Sequence, residues 1–223
     1  MRFTDTQTTV PRDGSSGQGR AASRAWDQRP YERRRSVTGV SDLELEYSPS
    51  SRAGGSSAPF VADYQARSNV ARAAFGERVE TLPGGSLLVR AHADAPLLVF
   101  IHGGYWQALN AADSLYLAPG ALAAGWSYAA VEYTIAPAGS LEQMVGECAA
   151  ALGELAARGT WTSVVLAGHS AGAHLAAMSS IAAVSPLRVD RVVLISGVFD
   201  LRPLVHTSVN DPLGLTAGTA SAL

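Results

Sequence analysis

The chain has 223 residues, enough for one domain with a sizeable core and too few for two independent ones. Its basic residues are all arginine, and the formal charge of −2 gives no electrostatic reason to expect nucleic acid or an anionic membrane as a partner. The single cysteine, Cys148, excludes an internal disulfide and fits a reducing compartment, so the cytoplasm is the expected setting. The first twenty residues have no apolar core, and no later run reaches about 18 apolar residues, so neither a signal peptide nor a membrane span is expected.

In chain order, residues 1–38 are rich in Arg, Ser, Gly, Gln and Thr, too polar to offset the entropy of ordering, and are expected to form a flexible arm. Its YERRRS run reads as a short solvated stretch. The folded domain is expected over 39–223. VSDLELEY has a helical pattern, and Phe60, Val61, Tyr64, Ser68, Ala71 and Phe75 recur at near-helical spacing, predicting a helix that packs over the domain. Two short strand runs flank Pro83-Gly84-Gly85, a hairpin signal. Strands and helices then alternate: APLLVFIHGG, a helix over NAADSLYLAPGALAAG, WSYAAVEYT, and an amphipathic helix opened by Ser140. TSVVLAG, a helix from Ala171, and DRVVLISG complete the series. This alternation predicts an α/β fold, a mostly parallel sheet with helices on both faces. Right-handed crossovers place the strand C-termini, and so the site, on one edge.

At that edge stands Gly168-His169-Ser170-Ala171-Gly172, a G-x-S-x-G between a strand and a helix. Small flanking residues permit a sharp turn that lifts the Ser170 hydroxyl clear, and the following helix aims N–H groups at the same point. Ser170 is therefore expected to be a nucleophile, the alternative being a helix cap. Directly after another buried strand comes His102-Gly103-Gly104-Tyr105-Trp106. Acyl transfer creates a tetrahedral oxyanion, and the N–H of Gly103 or Gly104 together with that of Ala171 is expected to receive it. Tyr105 and Trp106 fit either a substrate pocket or the core. His174, one helical turn past Ser170, reads as helix packing, His92 as a surface histidine and Cys148 as core. No group of residues has metal-ligand spacing, LPGGS precedes a strand and is no phosphate loop, and no cofactor is expected.

HGGYWQ, VEYTIAPAGSLEQMV, GHSAGAHLAA and SGVFDLRPLVHTSVNDPLGL, in that order, resemble the kynurenine formamidase (arylformamidase) branch of the α/β-hydrolase superfamily. LELEYSPSS resembles its amino-terminal segment. The resemblance implies an α/β-hydrolase fold over about residues 40–215, Ser170 as nucleophile, Gly103 and Gly104 as the oxyanion loop, and N-formyl-L-kynurenine as a small-molecule substrate cleaved to kynurenine and formate.

In this superfamily the triad runs Ser, acid, His along the chain. The resemblance places the acid and the histidine beyond the Asn-Asp-Pro-Leu segment, whereas this sequence ends at Leu223. The expectation is therefore a shortened fold lacking the last strands, impaired in catalysis, with DRVVLISG left as a pairing-prone edge that favours a homo-oligomer. Local substitutes for the acid and the base are Asp200 and His206. Carboxylesterase activity on small acyl esters and a catalytically silent binding protein are the alternatives.

Overall fold

A computed structural model describes residues 40–48, 54–182 and 187–223. The expected arm over residues 1–38 lies outside the described residues. Two helices precede the sheet, α1 (Val40–Glu46) and α2 (Ala58–Phe75). The hairpin around Pro83-Gly84-Gly85 forms as expected, with β1 (Val79–Thr81) antiparallel to β2 (Leu87–Val89). β3 (Leu97–Ile101), β4 (Ser127–Val131), β5 (Val164–His169) and β6 (Arg191–Ile195) follow. The sheet order is β1-β2-β4-β3-β5-β6. β3 pairs in parallel with β4 and β5, β5 pairs in parallel with β6, and only the β1-β2-β4 side is antiparallel.

The strands divide their side chains by the two-residue period of extended backbone. Leu97, Val99 and Ile101 of β3 point to one face, where they join Leu166 of β5. Over that face lies α4 (Leu141–Ala157), burying Leu141, Met144, Cys148, Leu152 and Leu155. Beside it runs α5 (Ala171–Ala182). Phe100, Tyr128 and Ala167 point to the other face, against Leu115, Ala118 and Ala71. α4 starts where the sequence predicts: the Ser140 side chain accepts a hydrogen bond from the Gln143 N–H at 3.2 Å.

The single helix expected after Asn110 is instead two pieces, a 3-10 segment (Ala111–Leu117) and α3 (Ala118–Ala123). Pro119 is the physical reason. Its missing N–H and its ring would break the interior of one continuous helix, whereas both are tolerated in the first turn of a new one. α2, expected to pack over the domain, does so only in part. Ser68 and Ala71 are buried, but Phe60 is 51% exposed, because the amino-terminal half of the apolar stripe borders a cleft. The helix is held by the Ser68 hydroxyl, which donates to the Asp113 carbonyl at 2.8 Å and accepts from the Tyr116 N–H at 3.1 Å.

β6 closes one side of the described sheet, and its Val192, Val193, Leu194 and Ile195 are 40–44% exposed. Among the described residues, no helix is long and apolar enough to cross a membrane. Leu152, fully buried between α4 and the sheet, is the natural probe of the main core. Leu152→Ala is expected to lower unfolding free energy by about 2–5 kcal/mol in urea titrations followed by circular dichroism.

Candidate active site

β5 ends at His169 and α5 begins at Ala171, so Ser170 alone makes the turn between strand and helix. Its φ is +55°, in the left-handed region that costs an ordinary L-residue about 1–2 kcal/mol. Neighbouring bonds hold it there. The Ser170 N–H donates to the Ile195 carbonyl at the end of β6 at 2.8 Å, and its carbonyl accepts from the Ala173 N–H at 3.0 Å. The glycine two residues on is required by close approach: a Cβ on Gly172 would lie 2.2 Å from the Ile101 carbonyl oxygen and 2.3 Å from that of His102. The first turn of α5 is thereby pressed against the end of β3, bringing the loop that follows β3 to the serine.

That contact is direct. A Cβ on Gly103 would stand 2.9 Å from the His169 carbonyl oxygen and 3.2 Å from Ser170 Cβ, so only bare backbone fits. Among the described residues, no group accepts from the N–H of Gly103 or Gly104, or from that of Ala171 at the start of α5. The loop is unusual backbone throughout, with positive φ at Gly104, Tyr105, Trp106 and Leu109. It is tied down at several points. The Trp106 carbonyl accepts from Ala136 N–H at 2.7 Å, and Tyr105 Oη donates to the Tyr47 carbonyl at 2.7 Å. Gln107 Nε2 donates to the Val209 carbonyl at 2.7 Å. Tyr133 Oη reaches the carbonyl oxygens of His102 and Gly103 at 3.0 and 3.2 Å.

Ser170, His169 and Tyr105 line two clefts. One, of about 340 Å³, is walled by Phe60, Val61, Tyr64 and Leu109 and includes Gly103 and Gly104. The other, of about 530 Å³, is walled by Glu46, Tyr47, Phe199 and Asp200. The structure therefore resolves the two readings of the aromatic pair: Tyr105 is a cleft wall, and Trp106 is fully buried core. Partial desolvation at the clefts lowers the pKa of His169.

The remaining candidates do not gather on the serine. His174 is 1% exposed, packs edge-on against Trp106 at 5.4 Å between ring centroids, and belongs to the core as expected. Asp200 does line the larger cleft, but its carboxylate is gripped by Arg202, with Nε and Nη2 each at 2.8 Å. Those bonds hold its carboxyl below the usual range. His206 is exposed and lines neither cleft. Among the described residues, no imidazole or carboxylate hydrogen-bonds the Ser170 hydroxyl, and no group of three His, Cys, Asp or Glu side chains could hold a metal ion.

A profile of the alpha/beta hydrolase fold matches residues 98–220, more than half of the chain. The chain belongs to the alpha/beta hydrolase family. Kynurenine formamidase of Danio rerio is 38% identical over 152 residues, 65% of this chain and 50% of that protein. The Drosophila melanogaster kynurenine formamidase is 33% identical over 126 residues, 53% of this chain and 42% of that protein. The chain thus spans about half the length of the curated relatives it matches. A Silicibacter sp. tm1040 protein provisionally described as a thioesterase superposes with a TM-score of 0.74 at 29% identity, over 81% of this chain and 72% of that chain. The Pyrobaculum calidifontis esterase, at 22% identity and a TM-score of 0.51 over 64% of this chain and 53% of its own, shares the fold.

Several wall residues of this alpha/beta hydrolase escaped the sequence reading. Phe60 and Tyr64 had a signal, the apolar stripe, but a stripe does not say whether it faces core or cleft. Glu46, Tyr47 and Phe199 had none, since only the fold brings them to Ser170.

Burial of His174 makes stability depend on pH. Burial lowers the pKa of His174, so below the ordinary histidine value of about 6.5 the unfolded chain binds more protons than the folded one, and stability falls with acidification. Thermal melts are expected to drop between pH 7 and 5, less steeply in His174→Leu. Asp200, lowered by Arg202, acts in a separate window, losing its stabilisation only as pH falls below about 4.

Proposed function

We propose that this chain carries the nucleophile and oxyanion hole of an arylformamidase-type serine hydrolase, whose substrate is N-formyl-L-kynurenine. The observation that carries the reading is Ser170 at φ +55°, with the backbone of Gly103 packed directly against it. Relatives named kynurenine formamidase, 33–38% identical, direct the choice of substrate.

Ser170 Oγ attacks the formyl carbon, the C=O π pair moves onto oxygen, and the N–H groups of Gly103, Gly104 and Ala171 receive the developing oxyanion. Collapse of that intermediate breaks the C–N bond and leaves a formyl ester on Ser170, and the departing arylamine carries off the proton that the Ser170 hydroxyl gave up. Water then releases formate. The apolar cleft of Phe60, Val61, Tyr64 and Leu109 suits the aryl ring. A cytoplasmic setting belongs to this reading, with Cys148 a buried free thiol.

A second reading, a catalytically silent binding protein, is favoured by one observation: among the described residues nothing hydrogen-bonds the Ser170 hydroxyl to draw off its proton. In a well-studied serine protease, removing the histidine costs about 10⁶ in turnover.

Labelling with a fluorophosphonate probe separates the two. The hydrolase reading expects the folded chain to be labelled and Ser170→Ala not to be; a folded, unlabelled wild type supports the silent protein. Hydrolysis of N-formylkynurenine is expected to exceed that of p-nitrophenyl acetate, and the reverse order would favour a general esterase. Phe60→Ala, which opens the apolar cleft, is expected to raise KM for the aryl substrate about tenfold or more with kcat little changed.

A further inference from the structure

We propose that Tyr133 is a positioning residue whose hydroxyl aims the oxyanion loop, a role that rests on the reading of Ser170 as nucleophile. In a planar trans peptide the C=O and the N–H of the same unit point in opposite directions. The unit joining His102 to Gly103 carries the His102 carbonyl and the Gly103 N–H, and the next carries the Gly103 carbonyl and the Gly104 N–H. Tyr133 Oη lies 3.0 Å from the first carbonyl oxygen and 3.2 Å from the second, a shared bond from one hydroxyl. Drawing both carbonyls to Tyr133 turns both N–H groups away from it and fixes their direction, in a loop whose Gly103 packs directly on Ser170.

Other contacts fix the tyrosine and favour the same arrangement. Tyr133 follows the end of β4, is 3% exposed, and its N–H donates to Glu132 Oε1 at 3.2 Å. The His102 ring stacks on it with centroids 4.2 Å apart, and His102 Nδ1 sits 2.9 Å from the Gly103 carbonyl oxygen, a second hold on the same acceptor. Burial raises the phenol pKa well above its ordinary value, so the hydroxyl remains a donor at any working pH. The segment VEYTIAP takes no part in the serine chemistry proposed above, and this contact gives its tyrosine a task.

Tyr133→Phe tests the inference, since it keeps the ring, the stacking and the burial and removes only the hydroxyl. Tyr128→Phe is the control: Tyr128 is equally enclosed, and its hydroxyl donates to the Ser114 carbonyl at 2.7 Å, away from the loop. Two readouts are needed. Amide hydrogen exchange at Gln107 and Ala108, whose N–H groups donate to the Gly104 carbonyl, is expected to quicken about tenfold or more in Tyr133→Phe and to stay at the wild-type rate in Tyr128→Phe. Turnover of N-formylkynurenine by Tyr133→Phe is expected to fall at least about tenfold in kcat with KM within about twofold, the pattern of a lost transition-state contact. Unchanged exchange in Tyr133→Phe, or equal losses of kcat in the two variants, would overturn the role. A folded wild type with no fluorophosphonate labelling would instead sink the nucleophile reading and with it the catalytic part of this one. Exchange alone then decides whether Tyr133 holds the loop.

Discussion

The site depends on one close approach, the fit of Gly172 against the carbonyl oxygens of Ile101 and His102. Because nothing larger than hydrogen stands there, the first turn of α5 can press on the end of β3, and the loop leaving β3 can pass beside Ser170. The strained turn at Ser170 is held by a bond from a third strand, through the Ile195 carbonyl, so β3, β5 and β6 each contribute to one point. A few kcal/mol of backbone strain in residues 104–109 and at Ser170 are offset by the two packed layers on which the turn rests.

Much of this was legible in the sequence, for reasons of period and spacing. The parallel core strands show as unbroken apolar runs because both faces are covered, and the turn at Ser170 shows as a serine between small residues where a strand gives way to a helix. Ser140 announced its helix because a capping side chain needs only local geometry. What was not legible came from residues whose meaning depends on a distant partner. Pro119 divided a helix whose apolar pattern runs straight through it. Tyr133 reads as one more strand aromatic until the loop after β3 is placed beneath its hydroxyl. Phe60 and Tyr64 follow the helical period faithfully, yet the period is satisfied equally by a cleft and by a core.

The two faces of the sheet have unequal tasks. The face under α4 is broad and dry, built from leucines and alanines that a long amphipathic helix can cover. The opposite face is smaller, and α2 reaches it through Ala71 and through the paired hydrogen bonds of Ser68. That lighter attachment leaves Phe60, Val61 and Tyr64 to line the apolar cleft, which is why one element serves as both cover and wall.

The wall of the larger cleft joins parts of the chain that are far apart. The Ser208 N–H donates to Glu44 at 2.8 Å across a separation of 164 residues, the Ser208 hydroxyl bonds the same carboxylate, and Tyr105 Oη caps the Tyr47 carbonyl between them. Closing a loop of that length is entropically costly until the sheet has shortened the path. The second wall of the cleft is therefore a property of the whole fold: the Glu44–Ser208 and Tyr47–Tyr105 contacts that hold it join segments that only the assembled sheet brings together.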